Sequence, residues 1–93
     1  MGCANDSRKR ILIVEDEPTI SRLCLRTLAA EGFHADIAVN GLVAQGMLGK
    51  REYNLCLIDI RTPVMNGTEL YQYIEEEYPE LASKVIFTTP EIS

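Results

Sequence analysis

Four short apolar runs, at residues 11–14, 35–39, 55–58 and 85–87, alternate with segments of helical period, and this alternation constrains the fold more than any other property of the chain. Runs so short and so rich in Ile, Leu and Val read as strands, and the first is continuous rather than alternating, as a strand buried on both faces is. Strands separated by helical segments imply right-handed crossovers and a parallel sheet with helices on both faces, an α/β doubly wound domain. Ninety-three residues leave room for one such domain and no second.

The helical segments carry their own punctuation. Pro18 fits the first turn of a first helix, on which Ile20, Leu23, Cys24, Thr27 and Leu28 recur along one face until Gly32 stops it. Asn40-Gly41 turns the chain into a second helix bearing Val43, Ala44, Met47 and Leu48, and Gly46 and Gly49 make it the softest element. A third helix is expected over 68–78, with Leu70, Tyr73 and Ile74 on its inner side and an end at Pro79. Tyr71, Tyr73 and Tyr78 read as packing residues, and Glu75-Glu76-Glu77 as a solvated face. Residues 1–10, polar with a basic end, read as a flexible leader.

Composition excludes several functions. Hydrophobic residues at 46% and charged residues at 25% are globular values. A net charge of −5 argues against nucleic acid or an anionic membrane as a direct partner. No apolar stretch approaches the roughly 18 residues of a membrane span. Cys3, Cys24 and Cys56 have no metal-ligand spacing and read as free thiols in a reducing, cytoplasmic setting. Met1-Gly2-Cys3 lacks the Ser or Thr at position 6 that N-terminal acylation requires; Asp6 stands there.

Two of the runs end in acid. Asp59 closes the third, with Arg61-Thr62-Pro63-Val64-Met65-Asn66-Gly67 just beyond and an Asn-Gly turn expected within it; Glu15-Asp16-Glu17 closes the first. Open α/β sheets hold their chemistry at the carboxyl ends of the strands. If these two strands are neighbours, three or four carboxylates converge, and such a cluster repels itself unless a cation sits among them, for which Mg²⁺ is suited by its preference for oxygen ligands. A strand-capping role for Asp59 is the plainer alternative, disfavoured because Arg61 is the one basic residue in either segment. Glu17 reads as a solvated acid at a helix N-terminus, Thr88 as packing, and His34, ahead of the second strand, as a surface residue.

Three stretches together, Ile-Leu-Ile-Val-Glu-Asp-Glu-Pro at 11–18, Leu-Cys-Leu-Ile-Asp-Ile-Arg-Thr-Pro-Val-Met-Asn-Gly at 55–67 and Val-Ile-Phe-Thr-Thr at 85–89, resemble the receiver domains of two-component response regulators. The resemblance implies a flavodoxin-like sheet of order 2-1-3-4 and a receiver domain over 11–93. It implies that Asp59 accepts a phosphoryl group from a histidine kinase or a phosphotransfer protein. Asp16, Asp59 and the backbone carbonyl of Arg61 would ligate Mg²⁺, Glu15 would assist through water, and the Thr89 hydroxyl would contact the phosphoryl group.

Members of that family continue with a further helix, a fifth strand ending in a Lys, and a last helix, so the resemblance also implies a domain incomplete at its C-terminus. Pro90 replaces the small residue usual after the Thr. On this reading the chain self-associates, through the edge of the fourth strand or through first-helix faces carrying Leu23 and Leu28. It is a signalling module, not an enzyme. Two other functions compete with it. One is a non-phosphorylated interaction module. The other is a Mg²⁺-dependent phosphohydrolase with an aspartyl-phosphate intermediate, which wants a second acid where Arg61 stands.

Overall fold

The structure, a computed structural model, describes residues 8–62 and 64–88. The chain runs β1 (Arg10–Val14), α1 (Pro18–Ala30), β2 (His34–Ala38), α2 (Gly41–Leu48), β3 (Leu55–Asp59), α3 (Gly67–Glu77), α4 (Pro79–Ala82) and β4 (Val85–Thr88). The strands form one parallel sheet in the order β2-β1-β3-β4. This is the doubly wound topology that the alternation predicts. Because β1 lies inside the sheet, between β2 and β3, the chain crosses to one side and then to the other, and the carboxyl ends of β1 and β3 become neighbours.

The two faces of the sheet are packed unequally. Leu12, Val14, Cys56 and Ile58 are wholly buried, as are Ala44, Leu70 and Ile74 of the helices against them, and Leu48, Tyr53 and Leu81 complete the core. On the opposite face α1 covers Ile11 and Ile13, yet Leu57 is half-buried and Ile86 is 49% exposed. Each fully buried Leu or Ile contributes about 1.5–3 kcal/mol relative to exposure, so most of the stability comes from the α2/α3 side.

The register of α1 departs from the expected face. Ser21 is its buried residue, Ile20, Cys24, Leu25 and Leu28 are half-buried, and Leu23 and Thr27 face outward, Leu23 with 64% exposure. Leucines at 23, 25 and 28 allow two stripes, and the one observed turns the polar Ser21 inward. Ser21 is tolerated inside because its hydroxyl donates to the carbonyl of Pro18 at 3.2 Å, and that of Thr27 donates to the carbonyl of Leu23 at 2.8 Å. Gly32, with φ of 92°, ends the segment in the left-handed region where a side chain is strained.

Both Asn-Gly pairs begin helices. Asn40 accepts from the Val43 amide at 2.9 Å, and Asn66 forms a capping box with Glu69 at 2.9 and 3.1 Å, so the turn expected at Asn66-Gly67 is the start of α3. In α2 the buried residues are Gly41, Ala44 and Leu48, while Val43 points outward. Pro79 does end α3, but it also opens α4, a single turn too short to leave a period in the sequence. His34 is the first residue of β2 and is half-buried, and Val39 lies just past that strand with 53% exposure. The ring of Tyr71 meets that of Phe87 with centroids 5.7 Å apart, and Tyr73 meets Tyr78 at 6.0 Å.

Candidate functional site

β1 and β3 pair with Val14 opposite Ile58, which sets Glu15 beside Asp59 at the carboxyl edge of the sheet. The Glu15 amide extends the ladder by one residue, donating to the carbonyl of Ala38 at 2.9 Å. One carboxylate oxygen from each of Glu15, Asp16 and Asp59 lies within 4.8 Å of the other two. Glu15 and Asp59 are buried, and Asp16 is exposed.

Backbone amides supply part of the compensation. The Glu17 amide donates to Glu15 Oε2 at 3.2 Å, and the Arg61 amide donates to Asp59 Oδ1 at 2.9 Å. Burial pushes the Glu15 carboxyl above its ordinary range against the pull of the Glu17 amide, and the neighbouring Asp59 and Asp16 push it further. Three oxygen donors with mutual repulsion between them suit a hard divalent cation that retains part of its water shell. Glu17, exposed and extended, stands at the N-cap of α1 and makes no side-chain capping bond.

The loop after Asp59 is held by contacts that the sequence reading passed over. Thr62 is almost fully buried; its amide donates to the carbonyl of Asp59 at 3.0 Å and its hydroxyl donates to the same oxygen. A Thr three residues past a strand end is the sequence signal of such a turn, and it was available. Val64 takes a φ of 71°, a left-handed conformation uncommon for a β-branched residue. Gly67 lies so close to β3 that an added Cβ would fall 2.8 Å from Ile60 Cα, and one on Gly41 would fall 2.5 Å from the carbonyl oxygen of Met65. These two close approaches tie the starts of α2 and α3 to the loop behind Asp59.

Glu15, Asp16 and Asp59 therefore come together, and Arg61 joins them through its backbone while its side chain is exposed. Thr89 and Pro90 lie outside the described residues, as do Cys3 and Pro63. Thr88 ends β4 opposite Asp59, and its carbonyl accepts from the Ile60 amide at 3.1 Å. Cys24 and Cys56 are free, and burial pushes the Cys56 thiol up to about 12. No helix among the described residues is long and apolar enough to cross a membrane.

Comparison with known proteins points the same way. Residues 11–93 match the response regulator receiver domain family. The response regulator protein PilR of Pseudomonas aeruginosa is 38% identical over 74 residues, which are 80% of this chain and 17% of PilR. The chain thus spans a small part of that relative, and 35% of the transcriptional regulatory protein PcoR of Escherichia coli. Among solved structures, the response regulator TrrA of Thermotoga maritima in complex with Mg²⁺-BeF superposes with a TM-score of 0.83 at 35% identity, covering 89% of this chain and 70% of TrrA. TrrA in complex with the histidine kinase ThkA gives 0.81 at 34% identity, covering 91% of this chain and 72% of the other. From its strand order, its acidic edge and these relatives, the chain belongs to the response regulator receiver domains of two-component signalling.

Proposed function

We propose that this domain accepts a phosphoryl group on Asp59 from a histidine kinase or a phosphotransfer protein, with Mg²⁺ as the required cation. The observation that carries the reading is the convergence of Glu15, Asp16 and Asp59 to within 4.8 Å. It is supported by the likeness to TrrA, which has been seen with Mg²⁺-BeF and with a kinase.

The Arg61 amide holds Asp59 Oδ1 and fixes the plane of the carboxylate, leaving Oδ2 as the nucleophile. In the transfer a bond forms between that oxygen and phosphorus while the phosphorus–nitrogen bond of a phosphohistidine breaks, and the pair of electrons returns to the imidazole. Asp16, Asp59 and the Arg61 carbonyl would hold Mg²⁺, with Glu15 acting through a water. Bound there, the ion supplies neutralisation of the charge gathering on the phosphoryl oxygens. Thr89, one residue past Thr88, is assigned the hydroxyl that contacts the transferred group. The working compartment is the cytoplasm, in which Cys24 and Cys56 remain thiols.

Acetyl phosphate with Mg²⁺ is expected to label the wild-type chain with an acid-labile phosphoryl group, and Asp59→Asn is expected to take none. A label that survives this substitution would remove Asp59 from the role.

A further inference from the structure

After Asp59 the chain leaves β3 in a turn closed by Thr62, and the backbone groups of that turn can be followed one by one. The Ile60 amide donates to the carbonyl of Thr88 at 3.1 Å, the Ile60 carbonyl accepts from the Gly67 amide at 3.3 Å, and the Arg61 amide holds Asp59 Oδ1 at 2.9 Å. The Asp59 carbonyl accepts twice, from the amide and from the hydroxyl of Thr62. One group is left over. The Arg61 carbonyl accepts no backbone hydrogen bond among the described residues.

Thr62 is where these constraints meet. A trans peptide is planar, so the plane that carries the Thr62 N–H also carries the Arg61 C=O, and a bond that fixes one fixes the direction of the other. The hydroxyl adds a second tether, through Cβ, to the same oxygen, whose two lone pairs accept both donors. Thr62 is 2% exposed, so water does not compete for either bond. With the amide alone the turn would be looser, since roughly a third or more of such turns exist without that bond. Valine has the same branched shape and no hydroxyl to satisfy, so packing by itself does not call for threonine here.

We propose that Thr62 is a positioning residue for the cation: by closing the turn through two bonds, it presents the Asp59 carboxylate and the Arg61 carbonyl together in the narrow geometry that Mg²⁺ demands. The inference rests on the assignment of those two oxygens to Mg²⁺ made above, and adds what fixes one relative to the other. Mg²⁺ requires a near-ideal octahedron of oxygens at about 2.0–2.1 Å, whereas Ca²⁺ accepts about six to eight oxygens at about 2.3–2.6 Å in a flexible arrangement. A turn that rocks harms Mg²⁺ first. The ratio of the two affinities therefore reports positioning, which a loss of fold stability alone would not change.

The test titrates Mg²⁺ and Ca²⁺ separately into the wild-type chain, Thr62→Val and Thr62→Ser, with the amide shifts of residues 15–17 and 59–61 as the readout. Thr62→Val is expected to bind Mg²⁺ about tenfold more weakly while its Ca²⁺ affinity changes by less than about threefold. Thr62→Ser keeps the hydroxyl and is expected to restore the wild-type ratio. Melting without metal checks that each variant is folded; if Thr62→Val is not, Thr62→Cys, with a thiol that donates only weakly, takes its place with the same expected direction. The inference is overturned by equal weakening of both ions, by no weakening of either, or by a serine variant that behaves as the valine one does. A wild-type cluster that binds neither ion overturns it together with the cation site. Normal Mg²⁺ binding and a Thr62-dependent ratio without labelling of Asp59 by acetyl phosphate would remove phosphoryl transfer alone and leave the role of Thr62 in place.

Discussion

Acids at two places in the sheet are treated in opposite ways. In the middle of β2, Asp36 accepts from the Tyr53 hydroxyl at 2.7 Å and pairs with Arg10 and Arg51 at 3.5 Å each, so one carboxylate has two cations and a phenol. At the carboxyl ends of β1 and β3, three carboxylates share the amides of Glu17 and Arg61. A structural acid is neutralised by the chain itself. A cluster whose members repel one another suits a charge that arrives from outside.

The largest effect that separates the two is metal linkage. Mg²⁺ at a hundred times its dissociation constant is expected to stabilise the wild-type fold by about 2.7 kcal/mol. Asp16→Asn is expected to lose that gain while melting no lower than the wild type without metal, because it removes repulsion. An Asp16→Asn chain that kept the full Mg²⁺ response would break the contrast.

Asp36→Ala is the reciprocal test. It strands the buried Tyr53 hydroxyl and is expected to cost about 1–3 kcal/mol in denaturant unfolding, with the Mg²⁺ response intact. Loss of the metal response in this variant would mean that the two groups are not independent.

Smaller effects appear in the pH dependence, in two separate windows. Glu15 titrates above its ordinary 4.5 because of burial, so its contribution to stability is complete below that value and is lost as the pH rises through its folded pKa. Tyr53 is raised above 10, first by burial and then by its bond to Asp36, so its contribution holds up to that value and is lost only in alkali. Melting curves against pH are expected to show the acidic step vanish in Glu15→Gln and the alkaline step shrink in Tyr53→Phe. Neither substitution is expected to move the other's step.

The acidic edge was legible in the sequence because topology alone creates it. Once the apolar runs are strands and the order places β1 beside β3, Glu15 and Asp59 must meet. The face of α1 was not legible to the same degree, since Leu23, Leu25 and Leu28 fit two stripes, and the choice between them rests on a hydroxyl that folds back on Pro18. Asn40-Gly41 opens the second helix as expected, whereas Asn66-Gly67 misled for a related reason: the side-chain oxygen that favours a turn also caps a helix, and Glu69, three positions on, completes the capping box. Asp36 was not legible because its partners, Arg10, Arg51 and Tyr53, lie far along the chain and no local pattern announces them, whereas the bond of Thr62 to the Asp59 carbonyl three residues back is local.

The central claim is that the carboxyl-end cluster, and not the acid in β2, is a cation site built around Asp59. Mg²⁺ titration followed by backbone amide shifts tests it most directly. The account predicts saturable shifts at Glu15, Asp16, Glu17, Asp59, Ile60 and Arg61, with Asp36 and Tyr53 unmoved. Silence at the first group through high millimolar Mg²⁺, or shifts centred on Asp36, would contradict it.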